Sequence, residues 1–455
     1  MSAPVLSIII LAAMFLLATV LPLNMGALAF VGAFLLGTVV LGMSTTDILA
    51  NFPGGLFLTI VGVTYLFAIA QNNGTIDLLV RGAVRMVGSR VALIPWVMFA
   101  ITAVITAVGA LSPSAVAIIA PIALSFAGKY KINPLLMGMM VIHGAQAGGF
   151  SPIAVYGVTV NGILAKTDLD FSPTALFLSS LVFNLIIAVV LFVVLGGRKL
   201  LSSRVGHFVE QAAEARMSVS VGAKAGSDVP FKGFGSGMYG PRDPAGDGVA
   251  ATKERSERIP QLVTIAGLIA LAVIALGFKV DVGFVSITIA IMLALVSPAA
   301  QKGAINKISW STVLLICGML TFVGVLEEAG TIEFVSNGVA GMGMPLLAAL
   351  LICYIGAVVS AFASSTAILA ALIPLAVPFL STGEIGAVGV ICALAVASTI
   401  VDVSPFSTNG ALVLANAPES VDKDRFYKQI LGYSGVVIVA GPVLAWLALV
   451  VPGWL

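Results

Sequence analysis

The sequence predicts an all-α polytopic membrane protein built on an inverted structural repeat. Its composition is the first indication, because 60% of the 455 residues are hydrophobic and only 9% are charged, whereas soluble domains contain about 25% charged residues. Charge is also unevenly placed, since residues 197–258 hold 17 of the 42 charged residues. Matching motifs in the two halves are the third indication. These features exclude a soluble enzyme, and a formal net charge of +2 gives no support to a nucleic-acid partner.

Long uncharged runs predict the membrane helices, because a helix needs about 20 apolar residues to cross a bilayer. We predict about ten crossings, near residues 4–21, 26–43, 55–71, 133–165, 174–196, 260–277, 282–299, 310–327, 385–416 and 430–451. Of these, 133–165 and 385–416 contain polar residues and are predicted to be broken helices. Two further uncharged runs, 92–127 and 345–380, each predict a re-entrant hairpin of two half-helices. A pair of full crossings is the alternative for each hairpin.

An internal repeat relates the two halves of the chain. Residues 74–77 (Gly-Thr-Ile-Asp) return 256 positions later as 330–333 (Gly-Thr-Ile-Glu). Two further matches occur at a shift of 253, and they pair Ser112 and Pro121 with Ser365 and Pro374, and Ser151-Pro152 with Ser404-Pro405. Two copies of one unit, joined by the polar and glycine-rich segment 197–258, therefore account for most of the sequence. We expect this segment to be a flexible loop.

The distribution of Lys and Arg predicts the orientation of the repeats. If 197–258 is cytoplasmic, 20 of the 22 basic residues lie in cytoplasmic segments and only Lys166 and Lys279 lie outside. This agrees with the positive-inside rule. Both termini then face outward in a multi-pass protein of the cytoplasmic membrane. The two copies have opposite orientations, which is the architecture of secondary transporters with a site near the midplane.

Polar breaks interrupt the apolar runs at positions paired by the repeat. The hairpin breaks are 112–114 (Ser-Pro-Ser) and 364–366 (Ser-Ser-Thr), and the broken helices have theirs at 148–162 and 402–410. Non-helical backbone at membrane depth is tolerated where protein or a water-filled cavity covers it, so the four breaks predict one shared cavity. Helices restarting at Ala115 and Ala367 would direct their N-terminal ends at an anion there. The alternative is that the serines and threonines only cap half-helices.

Asp402 is the only acidic residue in the middle of a predicted crossing, and an ionisable residue at such depth is a functional candidate. It is predicted to coordinate Na⁺, to carry a proton or to cap a half-helix. Its repeat mate is Gly149, so the site is asymmetric. His143 precedes the first broken-helix break, and a hydrogen-bonded core residue is the more common role for such a histidine than a proton carrier.

No Lys or Arg falls in the predicted cavity segments. An anion would therefore be bound by hydroxyls, amides and helix N-termini, and charge balance would favour a bound cation. We expect no cofactor beyond this coupling cation, Na⁺ or H⁺. Catalysis is not expected, because an intramembrane aspartyl protease needs two carboxylates and a serine type needs a paired histidine. An anion channel stays open as an alternative, since broken helices also occur in pores.

The paired serine-rich tips and proline-containing breaks resemble those of the ion transporter superfamily, in particular the divalent-anion:sodium symporters. Residues 52–57 (Phe-Pro-Gly-Gly-Leu-Phe) and 71–75 (Gln-Asn-Asn-Gly-Thr) are similar to malonate and dicarboxylate carriers of the MatC type. The resemblance implies a homodimer in lipid with an elevator mechanism. The scaffold would comprise 1–90 and 259–344, and the moving transport parts 91–196 and 345–455.

Carried onto this sequence, the resemblance implies two sets of site residues. The substrate set is Ser112, Ser114, Ser151, Ser364, Ser365, Thr366, Ser404, Thr408 and Asn409. The cation set is Asp402, Ser112, Ser365, Asn161 and Asn409. The sequence departs from the symporter pattern, because Asn is absent from both hairpin tips and each loop has one Pro of the expected pair, so the choice between Na⁺ and H⁺ stays open.

We therefore expect a cation-coupled importer of a small dicarboxylate, with malonate as the first candidate. A Na⁺/H⁺ or oxyanion exchanger of the same superfamily is the alternative closest in mechanism.

Overall fold

A computed structural model describes residues 2–86, 90–201, 247–278, 280–340, 344–361, 364–418 and 421–453 of the chain. These residues form helices joined by turns and short loops, and no β-strand occurs among them. Within this part of the chain, seven helical spans are long and apolar enough to cross a membrane: Ala3–Val20, Gly54–Asn72, Ser112–Tyr130, Pro173–Val194, Trp310–Glu328, Ala387–Ala415 and Lys423–Leu449. The predicted all-α polytopic class is confirmed.

The first half contains eleven α-helices. They are α1 Ala3–Val20, α2 Met25–Phe34, α3 Thr45–Ala50, α4 Gly54–Asn72, α5 Thr75–Met86, α6 Leu93–Ala107, α7 Ser112–Tyr130, α8 Pro134–Gly149, α9 Val155–Leu164, α10 Pro173–Val194 and α11 Gly197–Leu200. A π-helical segment, Leu35–Val40, continues α2.

The second half contains ten more within the described ranges. They are α12 Asp247–Gly277, α13 Val282–Val296, α14 Pro298–Gln301, α15 Trp310–Glu328, α16 Thr331–Ala340, α17 Pro345–Ser360, α18 Ser365–Leu380, α19 Ala387–Ile400, α20 Thr408–Ala415 and α21 Lys423–Leu449. A 3₁₀ turn, Val401–Val403, follows α19.

Helix breaks occur in the four predicted regions. Helices α6 and α7 form hairpin 1 and α17 and α18 form hairpin 2, while α8–α9 and α19–α20 are the two broken helices. Proline and capping side chains explain several of the boundaries. Asn133 accepts a hydrogen bond from the Leu135 N–H at the start of α8, and Ser407 accepts one from the Gly410 N–H at the start of α20. Helix α7 is long enough to cross a membrane by itself, so full crossings stay an alternative for hairpin 1.

The predicted loop 197–258 lies largely outside the described residues, which omit 202–246. At its two ends the chain is helical, because α11 spans Gly197–Leu200 and α12 begins at Asp247. Helix α12 thus starts before residue 259, where the second repeat was predicted to begin.

Hairpin 1 and the first broken helix pack at very short range. A Cβ atom added to Gly148 of α8 would lie 2.0 Å from the Ala103 carbonyl oxygen of α6, and one added to Gly144 would lie 2.4 Å from the Phe99 carbonyl oxygen. Small residues let helix backbones approach in this way. The close contact joins hairpin 1 to the first broken helix, which are the two elements with a predicted break in the first half of the chain.

A second close contact joins the beginning of α2 to α15. A Cβ atom on Gly26 would lie 2.0 Å from the Leu314 carbonyl oxygen, and one on Gly318 would lie 2.0 Å from the Gly26 carbonyl oxygen. Asn24 caps α2 through the N–H groups of Gly26 and Ala27. This contact sets the start of α2 beside the start of α15, where the cavity described below opens.

His143 is fully buried in α8 with a partner on each ring nitrogen. Its Nδ1 lies 2.8 Å from Asn184 Oδ1 and its Nε2 lies 2.7 Å from the Tyr433 hydroxyl. Asn184 in turn donates to the Ser180 carbonyl oxygen at 2.9 Å. A histidine with both nitrogens satisfied in this way ties three helices together, which is the core role that the sequence favoured.

Candidate functional site

A cavity of about 440 Å³ lies where the two hairpin tips meet the starts of α2 and α15. Hairpin 1 contributes Leu111, Pro113 and Ser114, and hairpin 2 contributes residues 364–367. The broken helices contribute Tyr156, Asp402 and Thr408. All four elements with a predicted break therefore reach one cavity.

The hairpin tips place two helix beginnings at this cavity. Helix α7 begins at Ser112 and α18 begins at Ser365, and in neither helix does a cap side chain bind the first N–H groups. The first N–H groups of a helix have no intrahelical acceptor, although Pro113 in the first turn of α7 has no N–H, and the helix dipole adds partial positive charge at that end. Together with the hydroxyls of Ser114 and Thr366, they make the cavity suitable for an anion.

Asp402 is the one charged residue among the described residues that line the cavity. It lies in the 3₁₀ turn between α19 and α20 and is 7% exposed. Ser365, Thr366 and Tyr156 line the same cavity as Asp402. Residues with carboxylate, phenol and hydroxyl groups thus surround one space.

Ser112 and Asn409, the sequence neighbours of the cavity-lining residues Pro113 and Thr408, meet although 297 residues separate them. The Asn409 Nδ2 donates to the Ser112 hydroxyl at 2.8 Å. Both side chains are buried, and Asn409 Oδ1 has no hydrogen-bond partner. On hairpin 2, the Ser360 hydroxyl donates to the Ser365 hydroxyl at 2.8 Å. A buried amide oxygen without a partner is uncommon in proteins, and it leaves an acceptor free for a cation.

Five of the predicted site residues do not line this cavity: Ser112 and Asn409, which bond to each other, and Ser151, Ser404 and Asn161. The Ser151 hydroxyl accepts from the Ile153 N–H at 3.5 Å and the Ser404 hydroxyl accepts from the Phe406 N–H at 3.2 Å. These contacts stabilise the local turns. Asn161 lines a separate space of about 10 Å³ beside α10 and α19, and its Oδ1 has no partner there.

Several residues that line the cavity were not predicted from the sequence. Tyr156 comes from α9, Asn24 precedes α2, and Ser309, Ser311 and Thr312 surround the beginning of α15. The Asn24 Nδ2 donates to the Ser311 carbonyl oxygen at 3.0 Å and to its hydroxyl at 2.8 Å. The only sequence signal for these positions is a polar cluster before an apolar run, which is also the signal of an ordinary helix cap.

Comparison with known proteins agrees with this fold. Residues 1–149 match the family model described as the dicarboxylate carrier protein MatC N-terminus, which confirms the resemblance to MatC-type carriers over that third of the chain. The structure is similar to the crystal structure of the YdaH transporter of Alcanivorax borkumensis, with a TM-score of 0.54 and 15% sequence identity over 88% of this chain and 87% of that chain. No curated protein matches the sequence. The chain is a multi-pass membrane protein whose fold is similar to that of the YdaH transporter.

Proposed function

We propose that the protein is a secondary transporter that imports a small dicarboxylate, with malonate as the first candidate, together with a cation. The observation that carries the proposal is the cavity of about 440 Å³, which two helix N-termini and several hydroxyls line and whose described lining residues include no basic side chain. The volume falls in the range of about 300–1,000 Å³ that is usual for small-molecule sites. The family match over residues 1–149 supports a dicarboxylate as the substrate.

Charge balance supports the coupling to a cation. A dianion bound beside an ionised Asp402 would place about three negative charges in one partly enclosed space, and like charges at short range cost several kcal/mol. A bound cation offsets this repulsion. Hard oxygen ligands of the kind that small cations prefer are present in Asp402, Ser365, Ser112 and the free Oδ1 of Asn409. Protonation of Asp402 would offset the same charge, so H⁺ is the second candidate for the coupling ion.

The position of the cavity is consistent with alternating access. Its lining includes Thr19, Leu23 and Ser311, which are exposed and belong to the side predicted to be cytoplasmic. We propose that this is the inward-facing arrangement of an elevator-type carrier. The close packing of α8 on α6 supports movement of hairpin 1 and the first broken helix as one body. A homodimer is proposed from the family resemblance.

Uptake of labelled malonate into proteoliposomes tests this function. We expect uptake against a malonate gradient when a Na⁺ or pH gradient is imposed, and no uphill uptake when both ions are equilibrated. Empty vesicles and vesicles with Asp402→Asn protein are the controls. Absence of malonate uptake under either gradient would overturn the proposal. Uptake that only runs downhill, with single-channel currents, would indicate an anion channel, and competition by oxyanions or Na⁺/H⁺ counterflow would indicate an exchanger.

A further inference from the structure

A small chamber of about 30 Å³ adjoins the main cavity on the side of Lys307. Leu111, Ser114 and Ser309 line both spaces, so the chamber and the cavity share one wall. Its remaining lining comes from the C-terminal half of α4, including Gln71, and from Gly109 and Lys307. One water needs about 10–15 Å³ of such volume. The chamber therefore has room for about one carboxylate group and not for a whole dicarboxylate.

Lys307 is the basic residue of this chamber, and no acid is found among the described residues that line it. Its Nζ donates to Asn72 Oδ1 at 2.6 Å. Asn72 is itself oriented, because its Nδ2 donates to the Ala300 carbonyl oxygen at 2.8 Å. An ammonium group has three donors, so the bond to Asn72 leaves others available. This arrangement holds a positive charge at the chamber without neutralising it.

The chamber explains part of the sequence motif at residues 71–75. Gln71 lines the chamber, Asn72 positions Lys307, and the Asn73 Nδ2 donates to the Thr264 hydroxyl at 2.6 Å. Gly74 follows with a positive φ of 74°, a conformation that glycine adopts without steric cost. The motif thus ends α4 and holds the ammonium group of Lys307 at the chamber.

The internal repeat supports the view that this chamber is part of a pathway and not a packing defect. Four residues of α4 line the chamber, and the residues 256 positions later in α15 line a separate cavity of about 260 Å³. The four pairs are Thr64 and Leu320, Phe67 and Val323, Ala68 and Gly324, and Gln71 and Glu327. In that second cavity Glu327 takes the place of Gln71, Asn51 takes the place of Lys307, and Lys166 is also present. The two spaces related by the repeat therefore differ in charge. Among the described lining residues, the second cavity has both an acid and a base, whereas the chamber at Lys307 has a base and no acid.

We propose that Lys307 and the chamber form a carboxylate subsite at which an anionic substrate pauses between the cytoplasmic side and the main cavity. The inference rests on the proposed dicarboxylate function. The ammonium group attracts one carboxylate, and Ser114 and Ser309, which face both spaces, provide hydroxyls on the way to the cavity. Because Lys307 lies outside the main cavity, the subsite raises the rate of substrate capture from one side only.

Two measurements on three variants test the subsite. Lys307→Gln removes the charge, Lys307→Arg keeps it, and Lys302→Gln removes a charge from the same loop at a residue that does not line the chamber. The first measurement is the half-saturation constant for labelled malonate at each face of oriented proteoliposomes. We expect Lys307→Gln to raise it about fivefold at the cytoplasmic face, the size of one exposed ion pair. The value at the other face should be unchanged, and Lys307→Arg and Lys302→Gln should resemble the wild type.

The second measurement does not depend on transport. A Ser309→Cys protein is labelled in separate reactions with an anionic and a neutral maleimide. The rate with the anionic reagent divided by the rate with the neutral one reports the local electrostatic potential. Lys307→Gln should lower this ratio about fivefold, and Lys302→Gln should not. An unchanged ratio would overturn the subsite whether or not malonate is transported. A lowered ratio with wild-type malonate constants at both faces would overturn the role in substrate capture, whereas failure of the wild type to transport malonate would count against the proposed function alone.

Discussion

Replacing Asp402 by Asn should weaken cation binding strongly while leaving the shape of the cavity intact. A sphere of the cavity's volume, about 440 Å³, has a radius of about 5 Å, so even a cation bound in the cavity without touching Asp402 would lie only about 5–9 Å from its carboxylate, and direct coordination brings it closer. With an effective dielectric constant of about 20, unit charges at these separations interact by about 3.3 to 1.8 kcal/mol. The half-saturating cation concentration should therefore rise at least about 20- to 300-fold, and more if Asp402 coordinates the cation directly.

Malonate uptake at a series of Na⁺ concentrations and at a series of pH values measures this effect. Asp281→Asn is the matched control, because it removes the same charge outside the cavity and an Asn side chain can still accept from the Phe284 N–H that Asp281 caps. The control should keep the wild-type cation dependence. If Asp402→Asn shows the wild-type dependence on both Na⁺ and pH, the assignment of Asp402 to the coupling site is refuted.

Three further predictions concern contacts around the site. Replacing Ser112 and Asn409 by Ala, singly and together, should give a coupling free energy of about 1 kcal/mol in thermal unfolding, and strict additivity would contradict the bond between them. Thr366→Val keeps the side-chain volume but removes a hydroxyl, so the half-saturation constant for malonate should rise about tenfold while that for the coupling cation stays unchanged. A parallel change in both half-saturation constants would argue against separate sites for malonate and the cation. Gly148→Ala inserts a methyl group against the α6 backbone and should cost about 1–3 kcal/mol of stability, whereas Gly432→Ala, which meets open space, should leave the melting temperature within a few degrees of the wild type.

Local features of the fold could be predicted from the sequence. Uncharged apolar runs located the helices, because hydrocarbon excludes charge over a fixed length. The breaks near Ser112, Ser365 and Asp402 were located because proline and clustered hydroxyls interrupt a helix in a recognisable way. The repeat then indicated that these breaks belong together, and their shared cavity agrees with that prediction.

Contacts between distant segments could not be predicted in the same way. Nothing near Asn409 in the sequence indicates that its partner is Ser112, and nothing near Asn72 indicates Lys307. Nothing in the sequence around Tyr156 indicates that it lines one cavity with Thr366 and Asp402. A single sequence does not fix the rotation of a buried helix whose faces are all apolar. For the same reason Asn161 was predicted at the cavity, and the structure places it elsewhere.

Asp402, the one acid in the described lining of the cavity, has a consequence for bioenergetics. Its repeat mate, Gly149, packs so closely on Tyr156 that an added Cβ would lie 3.0 Å from the ring, which disfavours a second, symmetric carboxylate. An empty cavity with ionised Asp402 then carries one negative charge. Moving one charge through the membrane potential changes the free energy by about 2.3 kcal/mol per 100 mV. In an elevator cycle the return of the empty carrier would therefore be a voltage-dependent step, even if the loaded carrier were electroneutral.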